Sequence, residues 1–207
     1  MSTVPSTPSA TQSTLRHLVT SVLYTIVTIV LFGFIYPAVI WGIATIAFPH
    51  QANGSLVTQG TTVLGSELVG QSFSKPGYFH PRLSAAGKGY DPTQTGGTNY
   101  GPTSKKLIDG TKAAIAALRK DNPDATGPIP PDLVTSSASG IDPDISPEGA
   151  DYQVARVAKA RGLSVDAVRA LVAAHLTPRT LGFLGEPRVN VFALNRALDA
   201  QQAAPSR

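Results

Sequence analysis

Between Arg16 and Glu67 the chain carries no Asp, Glu, Lys or Arg, and residues 18–48 read LVTSVLYTIVTIVLFGFIYPAVIWGIATIAF. A helix needs about 20 apolar residues to cross a hydrocarbon layer of about 30 Å. This run exceeds that length, so it can span with tilt or with one end in the interface. Thr45 and Ala47 offer a weak small-x-small cleavage site, but a cleaved leader has an apolar region of only about 7–15 residues. The length therefore predicts a retained transmembrane helix. Tyr24, Tyr36 and Trp41 are candidate interface anchors. Pro37 lacks an amide hydrogen and predicts a kink or the end of the regular helix. Ser21, Thr25 and Thr28 fall on one stripe, a candidate partner-helix interface. The alternative is that these hydroxyls bond their own backbone carbonyls. Arg16 and His17 precede the uncharged span, which predicts a cytoplasmic N-terminus and an extracytoplasmic C-terminal domain.

The expected organisation is a short flank at 1–17, a transmembrane helix at 18–48, a soluble domain at 49–200 and a flexible tail at 201–207. Arg16 is the one member of the 17 Lys and Arg residues that precedes the span, and all 13 Asp and Glu follow it. The soluble part is thus only mildly basic, without the clustered basic face expected of a nucleic-acid binder. The absence of cysteine rules out disulfides, thiol catalysis and cysteine-based zinc sites. The histidines, His17, His50, His80 and His175, are scattered singly, with no pair at a metal-binding spacing.

Residues 51–101 are rich in Gly, Ser, Thr and Asn. The short apolar bursts at 62–64 and 71–73 predict short strands between turns. A helix is predicted from Thr103 or Ser104, along Leu107, Ile108, Thr111, Ile115 and Leu118, to Asn122-Pro123. Residues 132–147 read as a strand-like start followed by a turn-rich loop. Ser146 before Pro147 caps the next helix, and Gly162 stops it. Ser164 caps another, whose Val165, Val168, Leu171 and Val172 are expected to face inward. Asn190 caps the last. The class is therefore α+β: one N-terminal transmembrane helix, then one soluble domain with helices concentrated in its C-terminal half.

Several segments invite a chemical reading. The loop around Gly96-Gly97 could offer backbone amides to an anion, but it lacks the Lys-Ser/Thr ending of a phosphate loop. Asp142, Asp144 and Glu148 lie close in sequence without an EF-hand pattern. Ser136, Ser137 and Ser139 lack a G-x-S-x-G elbow. His80, beside Pro81 and Arg82, reads as a loop side chain with a structural bond. Residues 158–175 outline a helix-turn-helix, which would suit a membrane-anchored DNA-binding regulator, but its second helix carries only Arg169 and His175, opposed by Asp166. No catalytic residue and no metal site is assigned.

The ordered set of segments says more than any single motif. NGSL, GSELVGQSF, YFHPR, GGTNYGPTS, DLVTSSASGIDPDISPEGADYQVARVAKARGL and LGFLGEPRVNVFALNRAL cover nearly all of residues 53–198. Together they strongly resemble the C subunit of the Kdp potassium-transporting ATPase. Leu83, Ala138 and Asp144 depart from the family pattern, which has proline, glycine and histidine there. The resemblance implies a non-catalytic accessory subunit of a high-affinity potassium-uptake pump in the cell membrane, needed for assembly and activity. Its implied partners are a channel-like potassium-translocating subunit and a P-type ATPase subunit. The family description as a catalytic chaperone implies a raised ATP affinity of the ATPase subunit, with no cofactor of the chain's own. A domain outside the cell could not reach cytoplasmic nucleotide, so ATP contact is kept only as what the resemblance implies, with no residue assigned to it.

Overall fold

The computed structural model describes residues 10–203 and divides them into two compact units, meeting at Ser55 and Leu56. The first unit is helical. Helix α1 (Ala10–Thr28) passes into a π-helical segment (Ile29–Ile35), α2 (Tyr36–Ala47) follows, and the short α3 (Pro49–Ala52) completes it. Pro37 offers no N–H to the carbonyl of Gly33 and its ring crowds that carbonyl, so a regular α-turn cannot pass through it unchanged. The helix widens instead: the Tyr36 N–H donates to Leu31 O, the i→i+5 spacing of a π-turn. From Ser13 to Ala47 the helix is long and apolar enough to cross a membrane, and none of that stretch is buried within the chain.

The second unit is α+β. Strands β1 (Leu56–Gln59) and β2 (Thr62–Ser66) form an antiparallel hairpin. Residues 67–104 hold no further strand beyond an isolated bridge from Leu83 to Ser136. The burst at 71–73 is thus not a strand. That segment has no hydrogen-bonding strand beside it, and Phe73 instead packs its ring 5.5 Å from that of Tyr78. Helix α4 (Lys105–Asp121) runs to the predicted stop, where the Asn122 N–H and side-chain amide both donate to Leu118 O. Ser104 precedes it without a side-chain cap bond, and no residue of α4 is fully buried. The strand-like start at 132 is a 3-10 turn (Pro131–Leu133), because Pro130 and Pro131 set its backbone and remove donors a ladder would need.

Strand β3 (Asp144–Ile145) precedes α5 (Pro147–Arg161), α6 (Val165–Ala174), β4 (Leu176–Thr177), β5 (Arg188–Asn190) and α7 (Val191–Ala203). The sheet order is β3-β5-β4, with β5 antiparallel to both neighbours. Caps fall where side-chain chemistry places them. Ser146 Oγ accepts from Gly149 N at 2.9 Å, Ser164 Oγ from Ala167 N at 3.1 Å, and Asn190 Oδ1 from Ala193 N at 2.9 Å. Gly162 ends α5 with φ 66°, the left-handed conformation glycine adopts without steric cost. Val168 and Val172 are buried and Leu171 is half-buried, but Val165, in the first turn of α6, faces solvent. The core joins Phe79 and Leu133 to Val154 and Val157 of α5, Val168 of α6, Val189 of β5, and Leu194 and Leu198 of α7. The helix of the expected tail continues to Ala203, and residues 204–207, like 1–9 of the expected flank, lie outside the described residues.

Candidate functional site

The segment 76–82 is not held by a sheet. It is held by polar side chains that α5 and α7 carry into the core. The Phe79 N–H donates to Asn195 Oδ1 at 2.8 Å, and Asn195 Nδ2 donates to Phe79 O at 2.9 Å. Gln153 does the same for the next residue: the His80 N–H donates to Oε1 at 2.7 Å, and Nε2 donates to His80 O at 3.0 Å. Both amides are almost wholly buried, and each replaces a missing strand partner.

Arg156, one turn beyond Gln153, completes the clamp. Its Nη1 donates to Pro76 O at 2.6 Å and Tyr78 O at 2.9 Å, Nη2 to Gln153 Oε1 at 2.7 Å, and Nε to Asn122 Oδ1 at 3.0 Å. These acceptors are all neutral, so burial is uncompensated by a bonded carboxylate and pulls the guanidinium down to about 10, against the field of Asp121. It still carries its charge at neutral pH. His80 is held below its ordinary range by burial first and then by Arg156, whose Nη1 lies 3.5 Å from its Nε2. That nitrogen also sits 3.2 Å from Lys75 O, so the neutral ring donates its proton there. His80 is thus tied to the backbone of its own loop, the kind of bond expected of it from the sequence.

A second cluster joins loops. Ser84 Oγ donates to Gly140 O at 2.6 Å and accepts from Tyr90 N at 2.7 Å, and the Tyr90 hydroxyl donates to Arg82 O. Burial, with Asp142 nearby, raises the Tyr90 phenol well above its usual range. Arg82 pairs with Asp142 at 2.9 Å and Arg188 with Asp144 at 3.1 Å. Asp144 is raised by burial, which Arg188 partly offsets. The three carboxylates read together in the sequence do not converge, because Glu148 lies in the first turn of α5, exposed.

The glycine and serine loops meet each other. Gly96 N donates to Ser139 O at 2.8 Å, and a Cβ on Gly97 would lie 3.1 Å from Ala138 O. The Gly96 amide is thus spent on the neighbouring backbone and not presented to an anion. Ser137 Oγ accepts from Gly140 N at 2.8 Å and Ser139 Oγ from Ile141 N at 3.2 Å, so these hydroxyls shape a turn. Within the hairpin of α5 and α6, Arg169 Nε lies 2.7 Å from Asp151 Oδ1, which ties up the cation of the would-be recognition helix. His175 Nδ1 lies 2.9 Å from Leu171 O. In the membrane helix, Thr25 Oγ1 donates to Ser21 O at 2.9 Å and Thr28 Oγ1 to Tyr24 O at 2.8 Å.

Sequence reasoning did not single out Gln153, Arg156 or Asn195. A signal existed: Gln153 and Arg156 sit in register with Ala150, Val154 and Val157, so polar residues occupy the inward stripe of α5.

Residues 18–200 match the family model for KdpC, described as the c chain of the K+-transporting ATPase. The chain belongs to the KdpC family. The KdpC subunit of the potassium-transporting ATPase of Koribacter versatilis is 50% identical over 192 residues, 92% of this chain and 98% of the relative. That of Myxococcus xanthus is 54% identical over 175 residues, covering 84% and 83% of the two chains. That of Burkholderia cenocepacia is 55% identical over 194 residues, covering 93% and 99%. The family assignment, the apolar helix and the tied-up charges of α6 leave the DNA-binding reading without support.

Proposed function

We propose that this chain is a non-catalytic, single-pass accessory subunit of a high-affinity potassium-uptake ATPase, required for assembly and activity of the complex. Its partners are the channel-like potassium-translocating subunit and the P-type ATPase subunit, together with the bilayer that holds its helix. The observation that carries this reading is the family match across residues 18–200, membrane helix included. The chemistry of the second unit agrees: buried Asn195 and Gln153 serve backbone, and the glycine loop uses its Gly96 amide internally. Phosphoryl transfer needs fixed phosphate-binding groups and usually a metal.

The N-terminus is cytoplasmic and the second unit lies outside the cytoplasm, following the charge at Arg16. An effect on the nucleotide affinity of the ATPase subunit then passes through the membrane helix and not through direct contact with ATP. The test compares potassium-dependent ATP hydrolysis by the pump with and without this subunit, beside the purified chain alone. Expected are no turnover by the chain and loss of potassium-stimulated turnover without it. Full activity of a stable pump lacking the chain would overturn the assignment.

A further inference from the structure

The β1–β2 hairpin carries apolar side chains on the face it does not pack. Residues paired across an antiparallel ladder share a face, and faces alternate along each strand. Val57, opposite Gly65, is buried, and a Cβ on Gly65 would lie 3.2 Å from the Phe192 ring. The inner face is therefore closed against α7, and just past β2 Asn190 Nδ2 donates to Glu67 O at 2.9 Å. The outer face holds Leu56, opposite Ser66, and Val63, opposite Thr58. Val63 reaches it through a bulge. An unbroken ladder would set Val63 beside Gln59 on the inner face, but the register slips between Val57 and Thr58 and turns it outward. Leu56 is 48% and Val63 55% exposed, and Leu64, at the bulge, is exposed as well.

We propose that this outer face beds in the lipid headgroup layer of the bilayer that the N-terminal helix crosses, which gives the chain a second hold on the membrane. The proposal needs only the membrane helix and is independent of the pump reading. Two observations select lipid as the occupant. The first is charge. Residues 56–66 belong to the same uncharged run, from Arg16 to Glu67, as the helix itself, so neither strand brings an ionised side chain into the layer. With no Lys or Arg on the strands, the attraction is apolar and indifferent to anionic lipid. The second is reach. Apolar surface on the membrane helix continues to Ile46 and Phe48, both exposed. Beyond it the Ser55 N–H donates back to His50 O at 2.9 Å, which folds the linker on itself. The chain path from Ala47 to Leu56 is thereby limited to about 20 Å. Leu56 thus begins within the leash of a headgroup layer that is itself about 6 Å deep.

The experiment uses the full-length chain, which has no native cysteine, in phosphatidylcholine vesicles. Nitroxide labels are set singly at Val63→Cys and Leu56→Cys on the outer face, and at Asp166→Cys, a fully solvated position on α6, as the control. Both outer positions are exposed, so the label displaces no packing. Power saturation compares collisions with oxygen, which concentrates in lipid, and with a water-soluble nickel chelate. The oxygen-to-nickel ratio at 63 and 56 is expected to exceed that at 166 by about threefold or more. A ratio at either outer position equal to that at 166 would overturn the proposal. So would lipid contact that appears only when anionic phosphatidylglycerol is added, or dipolar broadening between labels, the mark of a second copy. The measurement is repeated with the labelled chain in the assembled pump. Loss of both collision signals at 63 there would show burial under another subunit, and would overturn the proposal as well.

Discussion

Asn195 grips Phe79 by both backbone groups of that residue, accepting from its N–H at 2.8 Å and donating to its C=O at 2.9 Å. The two residues thereby form, with one side chain, the pair of bonds that an antiparallel neighbour would supply. Asn195→Leu keeps the approximate volume but leaves a buried donor and a buried acceptor unpaired, a loss of about 3 kcal/mol. The urea midpoint of the full chain in detergent measures it. A midpoint within error of the unsubstituted chain would show that the clamp carries no stability.

Gly140 makes a sharper demand. Its φ is 71°, and a Cβ there would lie 2.7 Å from Ala86 N and 2.8 Å from Gly96 O. Gly140→Ala is expected to cost more than about 2 kcal/mol. Gly96→Ala, which meets nothing within 4 Å, is expected to stay within about 0.5 kcal/mol. Thermal melts of the two variants side by side decide the point.

His80 gives stability a pH dependence of known sign. Its folded value is depressed below the ordinary 6.5, so the unfolded chain takes up the proton first. The contribution is whole above pH 6.5 and is lost as pH falls from there through the folded value. His80→Gln should flatten the fall in denaturation midpoint between about pH 7.5 and about pH 5.5. Asp144 has the opposite sign, since its folded value is raised above 3.8, and it acts at lower pH.

Topology is tested on a chain with no native thiol. Gln202→Cys should react with an impermeant thiol reagent on intact cells. Labelling only after lysis, at equal expression, would place the second unit in the cytoplasm.

The Ser21, Thr25 and Thr28 stripe is proposed to face a partner helix. Thr25 and Thr28 already satisfy their hydroxyl protons within the helix, so any gain comes from close approach and not from new hydrogen bonds. Changing all three to leucine should weaken co-purification with the other pump subunits while insertion persists. Leucine at Val22, Ile26 and Ile29 should matter less, and equal losses would leave the stripe no special role.

The helical half of the second unit was legible because its signals are local. Ser146, Ser164, Asn190 and Gly162 act within one turn of their own positions, and so could be read without knowing what packs nearby. The loop half was not. The shape of residues 76–82 depends on Asn195, Gln153 and Arg156, whose helices lie far along the chain, and nothing in the segment itself announces them. The sheet of β3, β4 and β5 escaped for the same reason: strands of two or three residues carry no readable alternation. Gly96-Gly97 looked like a candidate anion loop until Ser139 and Ala138 were found against it.

The span of the amide clamps bears on when this protein can fold. Phe79 meets Asn195 across 116 positions and His80 meets Gln153 across 73, so closing these contacts demands large loops. During synthesis the membrane helix is complete long before α7 has been made. The clamp on Phe79 must therefore wait until nearly the last residues emerge. A chain truncated just before α7 would be expected to insert normally, yet to lose the Asn195 grip and hand proteases a loosened backbone around Phe79.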